Sequence, residues 1–512
     1  MRRAAIVAPV RTPSGVDGGA LSRMPAQWLA STVLSAVIER SGIEPWRIED
    51  VAMACSRMGP ASGPDLGKLA ARDAGLPFAV PGFVTDRHSG SGLQAVITAA
   101  MMVQTGAADV VVAGGVEAGG DGPGGLGRNG DVQRGRGYAG PGPRGAGQVR
   151  QGQAVFGQAG PGQAGYGQAG PGQVVFGPGG YGPAGDGRSG YGQGMYGPGG
   201  HRQGGYGPVG ARHGGGVAAG ARVWSESSID LANAEEVARY YGITRAEADE
   251  FAVASHRKAA RAWRQGCFGA EVVSVRADRP EYGIAPDDTG GHRILRDEGI
   301  DGEMSTHTLA ALRPLLSDGV VTAGNMSAHR HGASACLVVA EDRLEELGLE
   351  PMAYLVGWAA AGSDVDTASL GAAPAVAKLL GRTGFGMDDL DLIEVNEGFA
   401  VEVLALAREW DLDPNDRLNV NGSSIALGHP VGATGLRIMT TMLHELSRTG
   451  GQYALEAIAL GHDHGIAALF ESAVAPPPVQ APAGARFHGA AANKRSGKHR
   501  AAGVRNKWQQ RP

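Results

Sequence analysis

From residue 4 to 116, and again from 352 to 472, short apolar runs alternate with stretches of helical periodicity. In the first series, 4–10, 50–55, 82–88 and 109–116 read as strands. Leu29, Val33, Ala36 and Val37 recur at helical spacing within 25–40, and 92–106 reads as a second helix. The second series repeats the rhythm with strand-like runs in "MAYLVGWA", "LDLIEV", "ALEAIAL" and "GIAALFE", and helices around 373–380 and after Gly398. Strands this continuously apolar need cover on both faces, so the rhythm predicts an α/β fold with a mostly parallel sheet between helical layers. Two series of like rhythm suggest an internal duplication.

Between the two series the pattern collapses. Residues 119–222 are Gly, Pro, Gln and Ala with aromatic side chains on a ten-residue beat, as in Phe156, Tyr166 and Phe176. This segment accounts for much of the chain's 86 glycines. It has too few aliphatic side chains to offset its ordering entropy, so it is expected to be disordered. A passive linker and weak self-association through the aromatics both fit it. Order is expected again from about residue 225, where Thr244 and Glu247 form a helix-start signature. The organisation expected is therefore 1–118 with 223–345 as an N-terminal half, 119–222 as the insertion, 346–472 as a C-terminal half, and 473–512 as a basic, unfolded tail.

Net charge is −5, but the tail from Pro476 carries eight Lys/Arg and no acid, which leaves −13 on the rest. Nucleic-acid contact is thus confined to weak contacts of the tail or the mildly basic repeat. The three cysteines, Cys55, Cys267 and Cys336, lie far apart and are read as buried free thiols. Their spacing gives neither a disulfide framework nor a zinc site, and no metal is assigned. No run of 18 apolar residues occurs and the first residues lack a sustained apolar core, so a cytoplasmic protein without membrane contact is expected.

Four segments could carry chemistry. "VTDRHSGSGLQA" places the hydroxyl of Ser89 where a strand gives way to a helix, whose free N–H groups favour an anionic nucleophile or oxyanion. An ordinary tight turn would use the same residues. "NVNGSSIALGHPVGATG" places His429 in a glycine-rich loop before a helix, and "EVNEGFA" places Asn396 at a strand end, where it suits water-holding or capping. "ALGHDHG" gathers His462, Asp463 and His464 in one turn, at a spacing unlike a metalloprotease zinc motif.

As a set these segments resemble the thiolase family, over roughly residues 3–118 and 225–472. Asn396, Glu397, Gly398 and Phe399 match its N-E-A-F motif, and "GHPVGATG" matches G-H-P-x-G-x-[ST]-G intact. "TAGNMSAHRHGA" resembles a coenzyme-binding stretch, with Ser327 at the matching serine and His331 replacing an aspartate. "ALGHDHG" matches the closing C-x-G-x-G segment, with Asp463 at a glycine position.

The resemblance implies duplicated βαβαβ halves in a layered α-β-α-β-α core. It also implies Claisen chemistry on coenzyme A thioesters, with no permanently bound cofactor and a homodimeric or homotetrameric assembly. By position Ser89 stands for the nucleophilic cysteine, His429 for its base, Asn396 for the water-holder, and Ala459 for the second cysteine; Ser327 and Phe399 fall at coenzyme-binding places. Asp301 stands where an arginine is common, and the repeat lies where a loop domain begins. Ser89 and Ala459 imply chemistry impaired in, or diverged from, condensation: an acyltransferase or a thioesterase. A non-catalytic scaffold that assembles through its repeat is the alternative.

Overall fold

The computed structural model describes residues 2–56, 63, 65–118, 227–276, 293–363, 370–461 and 463–474. The repeat at 119–222, the tail beyond 474 and His462 lie outside them.

The N-terminal half runs β1 (Ala4–Arg11), α1 (Ala26–Ser41), β2 (Asp50–Ala54), α2 (Leu66–Asp73), β3 (Phe83–Thr85), α3 (Ser91–Thr105) and β4 (Val110–Glu117). It continues with α4 (Ser227–Tyr241), α5 (Arg245–Gln265), the hairpin of β5 (Val275–Arg276) and β6 (Arg293–Ile294), α6 (Thr306–Ala310), β7 (Gly332–Ala340) and α7 (Leu344–Leu347). The C-terminal half is β8 (Ala353–Gly362), α8 (Ala372–Thr383), β9 (Leu392–Val395), α9 (Ala400–Glu409), α10 (Ser424–Leu427), α11 (Val431–Thr449), β10 (Tyr453–Ala459) and β11 (His464–Ser472). The capping box foreseen at Thr244 and Glu247 opens α5.

Among the described residues, nine strands form one hydrogen-bonded sheet in the order β3-β2-β4-β7-β1-β8-β11-β10-β9. The order is palindromic: first strand, last strand, then the others outward, on each side of the β1–β8 joint. That joint is short, Ala5 facing Tyr354 and Ile6 facing Ala353. Among the described residues of the C-terminal half, the place of a third strand is marked by the isolated bridge between Ile393 and Leu418.

The expected mostly parallel sheet is corrected here. Only β2–β3, β2–β4 and β9–β10 are parallel, and five strand pairs are antiparallel. Apolar runs report burial on both faces but say nothing about direction, which the connections set. Only residues 460–463 separate β10 from β11, and a link that short can only reverse the chain.

Alternation along the strands separates the layers. In β7, Ala335, Leu337 and Val339 enter the core under α1 and α2, while Cys336, Val338 and Ala340 enter a central core. In β11, Ile466, Ala468 and Phe470 enter the same central core, and Ala467 and Leu469 face an outer one with α8 and α9. The central core is filled from α3 by Leu93, Val96 and Ile97 and from α11 by Leu436, Met439 and Leu443. Helical layers outside and a shared helical layer between give the layered arrangement. Cys55 and Cys336 are buried as expected, but Cys267 is only half-buried.

Candidate active site

Ser89 sits in a single 3₁₀ turn, His88–Gly90, that feeds directly into α3. His429 precedes Pro430, the N-cap of α11. The two residues therefore occupy equivalent places, each at the N-terminal end of a central helix where partial positive charge collects. The turn is tied by Asp86, whose carboxylate accepts from Ser56 Oγ, Ser91 Oγ and the His88 N–H. His88 holds φ +47°, uncommon for a residue with a side chain. Gly90 has no room for one: a Cβ there would lie 2.5 Å from Leu460 Cδ2.

Ser89 Oγ lies 2.9 Å from His429 Nε2. The other ring nitrogen, Nδ1, is 2.9 Å from Thr434 Oγ1, and that hydroxyl also reaches Pro430 O at 2.9 Å. A threonine hydroxyl has one proton, and a carbonyl can only accept it. Thr434 therefore donates to Pro430 O and accepts from Nδ1–H. Nε2 is left with its lone pair towards Ser89, the arrangement a general base requires. Burial, then the positive charge of Arg437, pull the imidazolium pKa down to about 3. The ring is neutral at pH 7.

Asn396 follows β9 and is 5% exposed. Arg437 Nη2 donates to Ser424 Oγ at 2.6 Å, and Ser424 Oγ donates in turn to Asn396 Oδ1 at 2.6 Å. The chain of donors fixes the amide with its oxygen towards Ser424. The neighbouring Glu397 is a brace: its buried carboxylate accepts from Ser255 Oγ, Asn419 Nδ2 and the Ile425 N–H.

Residues 326–331 form a rail past these groups. Ser327 N donates to Gly398 O at 2.9 Å, Met326 bridges Phe399, and His429 N donates to Ala328 O at 3.0 Å. Ser327 is half-buried, whereas Phe399 is 8% exposed and packed in the outer core of the C-terminal half. Ala459 ends β10 opposite Gly465, beside Leu460, which closes against Gly90. The structure thus gathers Ser89 with His429, sets the rail of Ser327 beside Phe399 and His429, and brings the end of β10 to the Ser89 turn. His464 places its ring 6.4 Å from that of His88. Asp301 donates its backbone N–H to His256 Nδ1 at 3.1 Å, and its carboxylate accepts from the Glu303 N–H at 3.0 Å. A cleft of about 680 Å³ lies elsewhere, along α5, lined by Arg257, Lys258, Arg261 and Arg264.

Sequence reasoning missed Thr434, Ser424 and Arg437. Thr434 was within reach, being a hydroxyl inside the intact "GHPVGATG". Nothing in a single sequence pairs Ser424 with Arg437 or with Asn396.

The profile of the thiolase N-terminal domain matches residues 4–130 and 219–342, and that of the thiolase C-terminal domain matches 349–472. An acetyl-CoA acetyltransferase of Chromobacterium violaceum is 32% identical over 471 residues, covering 91% of this chain and 99% of that protein. The crystal structure of the Bacillus anthracis acetyl-CoA acetyltransferase superposes with a TM-score of 0.67 at 29% identity, over 92% of this chain and 99% of that one. Human mitochondrial 3-ketoacyl-CoA thiolase gives a TM-score of 0.68 at 25% identity, with coverage of 92% and 99%. The palindromic α/β core is a thiolase fold, and the chain belongs to the thiolase family.

Proposed function

We propose that this chain is an acyltransferase for acyl-CoA thioesters that carries the acyl group on Ser89. Ser89 Oγ attacks the thioester carbonyl while His429 Nε2 takes the hydroxyl proton. The tetrahedral adduct collapses with cleavage of the C–S bond, and His429 returns the proton to the departing thiolate. The product is a seryl ester and free coenzyme A. Asn396, with its amide oriented by Ser424, holds a water or the carbonyl oxygen as negative charge develops there. Ser327 and Phe399 are the carried-over coenzyme contacts, Ser327 on the rail and Phe399 as the wall behind it.

The second half-reaction differs from condensation. Joining two acetyl groups requires a base to remove a proton from the acceptor's methyl carbon, and the methyl of Ala459 cannot do so. Transfer to an acceptor that is already nucleophilic, or slow hydrolysis, fits the site better than carbon–carbon bond formation. A homodimer or homotetramer is the assembly proposed by family analogy.

The observation that carries this reading is the 2.9 Å contact from Ser89 to the unprotonated nitrogen of His429. Incubation with acetyl-CoA and longer acyl-CoAs, followed by intact-mass measurement, tests it. An acyl adduct absent in Ser89→Ala supports the enzyme. No adduct and no retention of coenzyme A would leave the scaffold reading instead.

A further inference from the structure

The replacement of an aspartate by His331 completes a set of donors that the sequence does not reveal, because its third member lies 314 residues away. The backbone at 329–331 is extended, bridged to His429 at one end and to Gly15 at the other. Alternate side chains of an extended segment share a face. His329 and His331 accordingly stand together, ring centroids 5.6 Å apart. The Gly15 bridge, with both N–H groups donating across it at 2.8 and 2.9 Å, carries the chain round to Asp17. Asp17 Oδ1 then lies 2.9 Å from His331 Nε2, and one donor atom from each of the three residues lies within 4.8 Å of the others.

We propose that Asp17, His329 and His331 bind a divalent transition cation of the zinc type. Two imidazoles and one carboxylate are a borderline-soft donor set that suits zinc or cobalt and is unfavourable for magnesium or calcium. A tetrahedral ion with bonds of about 2.0–2.2 Å needs donors roughly 3.4 Å apart, so the Asp17–His331 pair has to open slightly while any wider pair closes by up to about an ångström. Asp17 is the exposed member, at the side of the cluster that can adjust, while His331 is 3% exposed and held. The loop bearing Asp17 is itself braced, since the Glu298 carboxylate accepts from the N–H groups of Val16 and Ala20. Arg330, the nearby cation, lies over Gly428 and reaches Gly299 beside Val16, so its charge acts on Asp17 and an ion has to bind against it. An ion here would pin the N-terminal loop to the rail whose backbone holds His429, stiffening the segment beside the base without entering the reaction.

The test uses the untagged full-length chain, stripped with chelator and titrated with Zn²⁺, Co²⁺ or Mg²⁺. Expected are saturable one-to-one binding of Zn²⁺, a visible ligand-field band of tetrahedral Co²⁺, and a rise in melting temperature that Mg²⁺ does not reproduce. Asp17→Asn, at an exposed position that leaves the fold intact, should weaken Zn²⁺ binding by at least the roughly 10- to 100-fold that loss of a mere outer-sphere partner costs. His329→Asn with His331→Asn should abolish the cobalt band. Absence of one-to-one binding, an equal response to Mg²⁺, or undiminished binding in either variant would overturn the site.

Discussion

Gly92 of α3 and Gly435 of α11 pack reciprocally: a Cβ on Gly92 would lie 2.6 Å from Leu436 N, and one on Gly435 would lie 2.6 Å from Leu93 N. The two central helices therefore touch backbone to backbone, near their N-terminal ends. That contact brings the turn of Ser89 to the loop of His429. A methyl group at either position meets rigid backbone and forces the helices apart. Gly435→Ala is expected to destabilise the chain by about 1–3 kcal/mol and to lengthen the Ser89–His429 contact. Chemical denaturation and the rate of Ser89 acylation would register both effects. Unchanged values in both would mean the helices can slide without loss.

The chain's central logic was legible because it is repeated. Both series of apolar runs are present as strands and helices, and Ser89, His429 and Asn396 fall at the turns where their motifs placed them. What was not legible depends on pairing between distant residues. Strand direction in β7 is decided by a partner more than 200 residues earlier, β4. The arrangement that leaves Nε2 of His429 bare depends on Thr434 having only one proton to give. Asp463 shows an intermediate case: the motif marked its position as one for glycine, and its φ of +64° gives the physical reason.

That strain makes Asp463→Gly a stabilising substitution. A side chain in the left-handed region costs roughly 1–2 kcal/mol, somewhat less for aspartate, and glycine removes the cost. A rise of a few degrees in melting temperature is expected. A fall would show that the Asp463 side chain supplies more than its backbone loses.

Stability should also depend on pH through a buried acid pair. Glu394 on β9 faces Glu456 in register on β10, in the layer where α11 presents Arg437. Burial, only partly opposed by Arg437, pushes the Glu394 carboxyl up to about 8 and holds that of Glu456 well above its ordinary value. Raised acids contribute stability that is complete below their unfolded value of 4.5 and lost as pH rises through the folded one. His429 works the other way. Its pKa falls from 6.5 to about 3, so its contribution is complete above 6.5 and lost as pH drops. The slopes oppose each other at mildly acidic pH, where His256, lowered by burial to about 4, adds to the effect of His429; above 6.5 both histidines fall silent and the decline from the acids remains. Denaturation midpoints should therefore fall between pH 6.5 and 8, by up to about 1.4 kcal/mol per pH unit for each acid. Glu394→Gln should flatten that decline, and a variant with the wild-type slope would refute the assignment.

Ser424→Ala separates orientation from chemistry. It leaves Asn396 in place but removes the hydroxyl that fixes its amide, and the carbonyl oxygen loses the donor 2.6 Å away. Deleting an oxyanion donor outright costs about 10²–10³-fold, so misorienting one should cost less, roughly tenfold in the rate of Ser89 acylation. Coenzyme A retention should be unaffected. Loss of retention with an unchanged acylation rate would place Ser424 in binding instead.

Placing a sulfur at both positions asks whether the loss of condensation proposed above is a matter of two atoms. Ser89→Cys puts a thiol, far more acidic than a hydroxyl, at the N-terminal end of α3. The partial positive charge there favours the thiolate, and the lone pair of His429 Nε2 is placed to take the proton. Ala459→Cys supplies, at the end of β10, the acid–base group that the methyl lacks. Neither change alone should yield a 3-ketoacyl-CoA, because the first still leaves the acceptor carbon protonated and the second leaves a poorly activated ester donor. Together they should form that product from acetyl-CoA, detectable by mass spectrometry. If the doubly substituted protein is acylated on the new thiol of α3's leading turn and still forms none, the proposed impairment does not rest on the reacting pair alone, and deletion of residues 119–222 is the next variant to assay.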